Sequence, residues 1–493
     1  MIPVIDLISL QGEKEKAAFI QFLESRNKRK DTRNVSLYKD FLNGNEKRLL
    51  NEISANSYNA LKKRLCDQLI DFSANNALLK ELSEENKVIK LIAISRKLLG
   101  TGHFHTGLTL LKRAENKALA IEHHSMLNEI YHSMIEYSHK SKNTELESLF
   151  KKLEKNNEQF IEQEKVSVLY ATMQRQFNTS NYNMLPTSLH AMYDEGLKTF
   201  GINPELAVNF RNLNQLCVLT DLYASQTKNY KELDLFFEGS ISSITGGIKD
   251  NEKSLGYHIE LLYGLANIYF RRNNLTKSLD YLEQMHFQMK RFNSKHFELW
   301  IGRYSNLLAL NCNFSASWEK AFSLIEDCLE RKKLNEAERS LLKLNLSLIH
   351  FQQGNLTKVK DVLNSLKRTD AWYLKEMGNE WLFNYKAMEV LLHVDLGNDD
   401  LAESLILSFK RKYGVHFKSD LKNPIWPFLK LIKSILHNPE LIPSQKFEQK
   451  VESSIPWKEE NEDFFNLCIY AWLKAKMNGR PIYETTMSLL KTT

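Results

Sequence analysis

Residues 261–282 read LLYGLANIYFRRNNLTKSLDYL, and their spacing decides how this chain folds. Leu262, Leu265, Ala266 and Tyr269 recur at i, i+3, i+4 and i+7, the period that places side chains on one face of a helix. Asn273 then interrupts the run. Ser278, five residues later, is small enough to let a second helix approach the first, and Leu282 lies one turn further along the same face. The stretch predicts a helix, a tight bend and a second helix folded back on the first.

The same frame recurs along the chain. It is found at Gly102, Gly107 and Leu111, at Gly354, Val359 and Leu363, and at Gly397, Ala402 and Ile406. Looser copies begin at Ser141, Met184, Lys228, Ala316, Asn438 and Asn478, so that successive anchors lie 38 to 45 residues apart. A period of that length fits one helical hairpin. With 18 Gly and 9 Pro in 493 residues, the chain is too poor in turn formers for a fold of many short strands. The expected class is all-α, with hairpins over residues 85–493. The Gly/Ser-rich stretch EGSISSITGGIKDNEKS, within residues 238–256, is expected to be a long inter-helix loop and a hinge in the array.

The frame at Leu262, Leu265, Ala266, Tyr269, Asn273, Ser278 and Leu282 resembles that of the tetratricopeptide repeat superfamily. The copies are degenerate. Their period is nearer forty than 34, the proline after each hairpin is mostly absent, and Ser347 and Val390 stand where the family has a smaller residue. Longer helices or HEAT-like hairpins fit the same period. What the resemblance implies is a right-handed superhelical array of antiparallel hairpins, a TPR-like α-solenoid. Such an array binds a protein or peptide partner in its groove and performs no chemistry of its own, so no enzyme is expected.

Residues 1–84 fall outside the frame and are expected to form a small helical cap. Phe19, Phe22 and Leu23 mark one helix, Leu37, Tyr38, Phe41 and Leu42 a second, and Tyr58, Leu61, Leu65, Leu69 and Phe72 a third that Ser54 or Asn56 would cap. This end is basic. Residues 1–120 hold 21 cationic against 14 acidic side chains, which accounts for the whole net charge of +7. The densest patch is Arg26, Lys28, Arg29, Lys30 and Arg33. It reads as a solvated loop, or else as a phosphate-contacting surface in an alternative reading of the chain as a nucleic-acid-associated regulator. The three helices loosely resemble a helix-turn-helix module, with Lys62, Lys63 and Arg64 on the polar side of the third.

Candidate chemistry is sparse. Six histidines, His103, His105, His123, His124, His132 and His139, fall within 37 residues, and Glu129 with His132, like Glu283 with His286, makes the Glu-x-x-His pair of carboxylate-bridged metal bundles. The additional lone glutamates of such a site are not identifiable, so the favoured reading is surface and capping histidines with no metal or other cofactor. The glycines of 238–254 lack phosphate-loop spacing, and no HExxH, GxSxG or kinase signature occurs. The five cysteines include no CxxC pair, which fits a reducing cytoplasm. The N-terminus lacks the basic region of a secretory signal, and no apolar run is long enough to cross a membrane.

All seven tryptophans lie beyond residue 299. Most are expected to fill gaps between hairpins, but Trp is also a frequent interface anchor. Trp426, bracketed by Pro424 and Pro427, is the first candidate for partner binding, with Trp372 and Trp381 beside it.

Overall fold

The computed structural model describes residues 4–9, 11–25, 32–45, 48–80, 84–140, 145–179, 189–203, 215–220, 223, 255–294, 296–414, 425–455 and 464–491, and every regular element among them is helical. The chain divides into two compact units, residues 1–160 and 161–493. The hinge expected at 238–256 lies outside the described residues, apart from Leu255 and Gly256.

In the first unit, α1 (Val4–Ser9), α2 (Glu13–Ser25), α3 (Arg33–Leu42) and α4 (Ala55–Lys80) share one core built on Phe19, Leu23, Leu37, Tyr38, Leu65 and Leu69. The three expected helices are joined by the short α1, whose Val4 and Ile8 complete this core. Ser54, not Asn56, caps α4, accepting the Ser57 N–H at 3.3 Å. Leu42, expected inside, is 37% exposed because it is the last residue of its helix. A separate core joins α5 (Glu84–Gly100), α6 (Phe104–Ala120), α7 (His124–Glu136) and the start of α8 (Leu146–Thr179).

Beyond α8 and α9 (Leu189–Phe200), the second unit is built from successive pairs: α10 (Leu255–Arg271) with α11 (Leu275–Ser294), α12 (Phe297–Phe314) with α13 (Trp318–Leu329), and α14 (Glu336–Gln352) with α15 (Leu356–Asn364). α16 (Asp370–Asp395) pairs with α17 (Asp399–Tyr413), and the first helices of consecutive pairs, α10, α12, α14 and α16, also touch in order. α18 (Ile425–His437), α19 (Gln445–Ser454), α20 (Phe464–Asn478) and α21 (Ile482–Lys491) complete the described chain.

The repeat frame has a backbone cause. Gly102, Asn273, Ala316, Gly354, Gly397 and Gly479 all have positive φ, and after each the next N–H donates to the carbonyl five residues earlier. Thus His103 N–H reaches Leu98 O at 2.8 Å, and Asn274, Asn355 and Asn398 N–H reach Tyr269, His350 and His393 O at 2.9 Å. This is the left-handed C-cap of the Schellman motif, which ends one helix and launches the next within two residues. The fifth position after the turn is buried in five of the copies: Gly107, Ser278, Ala321, Val359 and Ala402. The ninth is buried too: Leu111, Leu282, Ile325, Leu363 and Ile406. At Gly107 an added Cβ would stand 2.7 Å from Leu99 Cγ, and Ser278 Oγ donates across the pair to Ala266 O at 2.8 Å. At these two copies a small residue stands where the helices approach closely, while Val359 shows that a larger apolar one is accommodated in another.

Two of the looser copies differ. Asn438 has φ −144 and precedes a 3-10 turn, because Pro439 and Pro443 have no N–H to donate and delay α19 until Gln445. At the last copy the left-handed residue is Gly479, not Asn478. The turns of the copies at Ser141, Met184 and Lys228 lie outside the described residues; Leu146 and Phe150, five and nine residues after Ser141, are exposed and do not follow the frame, whereas Leu189, five after Met184, is buried. Ala316 is a β-carbon-bearing residue in left-handed backbone at φ 60, so Ala316→Gly is expected to stabilise the chain by about 1 kcal/mol, read from denaturant midpoints.

One placement lies beyond the frame. Every residue of α20 from Phe464 to Leu473 is buried. Its Phe464 ring sits 4.2 Å from both Phe270 of α10 and Phe314 of α12, while Phe465, Cys468 and Ile469 meet Leu348 and Phe351 of α14 and Met388 and Leu391 of α16. A helix apolar on all sides has no solvent face to present. It fills the face shared by the first helices of four pairs.

Candidate functional site

Of the basic patch, Arg33 opens α3 and is exposed, whereas Arg26, Lys28, Arg29 and Lys30 lie outside the described residues. Lys63 and Arg64 are exposed on α4, and Lys62 lies over the Phe41 ring at 5.6 Å.

The three candidate tryptophans occupy different environments. Trp381 is a core residue, 7% exposed, stacked on Tyr373 at 4.6 Å and Tyr385 at 5.7 Å. Three residues before it, α16 is broken at Gly378, which adopts φ 84 and ψ 173. Such a ring is not available to a partner. Trp372 is half-buried, with the Arg368 guanidinium 5.4 Å above it. Trp426 is also half-buried, and the ammonium groups of Lys430 and Lys410 lie 5.4 and 6.0 Å from its ring centre. These cations screen apolar faces that would otherwise meet water. Trp457 lies outside the described residues, and Trp300 and Trp472 are buried.

The histidines serve local structure. His103 and His123 stand at the starts of α6 and α7, with Nδ1 3.1 Å from Thr101 Oγ1 and Ser125 Oγ. His124 Nδ1 meets Asn156 Oδ1 at 2.8 Å. Glu129, the carboxylate of the first metal-like pair, is ion-paired with Arg96. In the second pair, Glu283 is exposed while His286 stacks on Tyr304 at 4.9 Å. Among the described residues, no three His, Cys, Asp or Glu side chains gather as metal ligands would. All five cysteines are buried thiols. No described helix is long and apolar enough to cross a membrane.

Several charged groups are held by packing that the sequence does not reveal. Glu115 on α6 is almost fully buried and accepts from Lys152 of α8 at 2.9 Å and from Lys112. Burial alone would raise its carboxyl, but the two lysines hold it below the ordinary range. Burial would likewise raise Glu84, whose hydrogen bonds with Lys87 and Lys117 bring it down to about 2. Both are ties between helices. His286 and His350 are lowered as well, but here burial itself, reinforced by Lys290 and Lys358, is the cause and the neutral form is favoured. Both imidazoles also keep a buried Nδ1 without a partner.

A histidine neutral in the fold and protonated after unfolding contributes stability that is fully present above its ordinary value of 6.5, and that is lost as pH falls from there through the depressed folded value. The stability of the second unit should therefore decline with acidification below pH 6.5. Replacing both histidines with Gln should flatten the decline, which urea midpoints measured across this range by tryptophan fluorescence will show.

A cleft of about 620 Å³ with mixed polar and apolar walls lies in the second unit. It lies where four chain turns meet, around Trp318, Gly354, Asp395 and Gly479. Lys476 and Asp395 pair across it at 2.9 Å, and Asp395 also accepts the Trp472 Nε1–H at 3.1 Å. The Tyr483 hydroxyl donates to Asn313 O at 2.6 Å and ties the α20–α21 pair to the end of α12. None of the tryptophans singled out for partner binding lines this cleft. Its parts are separated by up to about 160 residues in sequence, so periodicity carries no signal of it. Neither a scan of known family models nor a comparison with curated proteins finds a match to this chain.

Proposed function

We propose that the chain is a non-catalytic binding scaffold, a TPR-like right-handed superhelical array that holds a protein or peptide partner and acts in a reducing compartment such as the cytoplasm. The observation that carries this reading is the recurrence of one hairpin frame at five turns, each with buried residues five and nine places on, and with the first helices of successive pairs in contact. Repeats of this kind extend a surface by stacking, and extended surfaces serve partner recognition more readily than they enclose a reacting centre. The buried cysteine thiols support the compartment. Because α20 already covers the face shared by α10, α12, α14 and α16, the partner is held at the outer surface and at the edges formed by the turns.

The test is capture from the native host on immobilised full-length chain. Capture of a defined partner should persist when Arg26, Lys28, Arg29, Lys30 and Arg33 are all changed to Gln, and should weaken in Trp426→Ala, because a desolvated aromatic anchor contributes roughly 2 kcal/mol or more to a protein interface. Salt-sensitive binding of nucleic acid that disappears in the quintuple variant, without any protein partner, would overturn the proposal in favour of a nucleic-acid-associated regulator.

A further inference from the structure

The cleft among the four turns contains hydrogen-bonding groups that its own walls do not use. Lys476 and Asp395 satisfy each other, and Asp395 has the Trp472 indole as well. The Gln352 amide is occupied at both ends, accepting from Asn313 Nδ2 at 2.9 Å and donating to Cys468 Sγ at 3.0 Å. The Tyr483 hydroxyl is spent on Asn313 O. Two groups remain. Arg480 lines the cleft, is exposed and has no carboxylate within ion-pairing distance among the described residues. Glu484 lines the same space and pairs with no cation among the described residues. Beside these lies an apolar wall of Trp318, Pro481 and Ile482, and Glu484 stands exposed one helical turn beyond Arg480.

A guanidinium presents its N–H groups as a planar fork that matches the two oxygens of a carboxylate. An adjacent apolar wall selects a ligand whose carboxylate is attached to an apolar side chain. Glu484 offers an acceptor for the N–H of the same residue. We propose that this cleft binds the free C-terminus of a peptide ending in an apolar residue: the α-carboxylate on Arg480, the last side chain against Trp318 and Ile482, and the last amide N–H on Glu484. A cleft of about 620 Å³ holds two or three terminal residues, within the range of small-ligand sites. Capture of a terminal carboxylate is a known mode of peptide recognition. The inference rests on the scaffold reading and gives it a specific pocket.

The probe is a fluorescein-labelled pool of hexapeptides ending in Leu, Phe, Ile or Val, with fluorescence anisotropy read on the full-length chain. Binding is expected for the free acids, and amidation of the C-terminus or Arg480→Gln should weaken it about tenfold or more. Trp318→Ala should weaken it for every apolar ending, while Arg411→Gln, an exposed cation elsewhere in the unit, should leave it unchanged. N-acetyl-leucine should compete only weakly; competition as strong as that of the hexapeptides would mean a site for small carboxylates and would overturn the peptide assignment. Equal binding of acid and amide, or full binding by a folded Arg480→Gln chain, would overturn the carboxylate site. If the captured partner of the wild-type chain is still bound by Arg480→Gln, the inference falls while the scaffold proposal stands. Loss of all capture by the wild-type chain would instead remove the scaffold proposal.

Discussion

Removing residues 464–493 is expected to abolish cooperative unfolding of the second unit. The deletion takes away α20, whose buried run from Phe464 to Leu473 is packed on four other helices, and it uncovers Phe270, Phe314, Phe351 and Leu391. Burying a large apolar side chain contributes roughly 1.5–3 kcal/mol, so a helix with this many buried positions outweighs the roughly 5–15 kcal/mol by which a folded domain exceeds its unfolded state. All seven tryptophans lie in this unit, so their fluorescence follows it selectively. The expected result is a broad, non-cooperative urea transition with blue-to-red emission shift already present at low denaturant. A milder version is Trp472→Ala, which empties the space of a fully buried ring and should cost about 3–5 kcal/mol. A truncated chain that keeps the wild-type midpoint would show that α20 is an accessory and not part of the core.

The second large effect is a contrast within one helix. Leu282 on α11, at the ninth position of its frame, is 1% exposed, whereas Phe287, five residues later, is 65% exposed. Leu282→Asp strands a carboxylate between helices and loses the packing of the leucine, at a cost of roughly 4 kcal/mol or more. Phe287→Asp removes a larger side chain yet should alter stability by no more than about 0.5 kcal/mol, because water already surrounds the ring. Leu265→Asp should behave like Leu282→Asp, since Leu265 is also 1% exposed. Comparable midpoints for Leu282→Asp and Phe287→Asp would mean that the frame does not report the direction in which the helix faces.

How much of this architecture can be read from residues depends on the range of the interaction. The turns are legible because their chemistry is local. A glycine or asparagine that tolerates positive φ, a small residue five places on and an apolar residue nine places on all act within one hairpin, and the burial of Ser278, Val359, Ala402, Leu282, Leu363 and Ile406 follows from that spacing. The N-terminal helices are legible for the same reason, through Phe19, Leu37, Tyr38 and Leu65. Where prolines withdraw the donors, as around Asn438, the local rule itself changes.

The placement of the tryptophans was not legible. Trp381 and Trp426 each stand among apolar neighbours in the sequence, yet one is in the core and the other lies at the surface beneath two lysines. What separates them is the docking of helices far apart in the chain, which leaves no periodic trace. The same holds for α20. FFNLCIYAWL, from Phe464 to Leu473, announces a buried helix without naming its partners. Only the combined shape of Phe270, Phe314, Phe351 and Leu391, contributed by four separate helices, selects it to fill their common face. The sequence by itself determined the helices, their turns and which side of each is apolar, because those depend on neighbours within about ten residues. The tertiary structure alone decided which apolar sides meet, and with that the face covered by α20 and the cleft holding Arg480 and Trp318, because close packing depends on shapes brought together from distant parts of the chain.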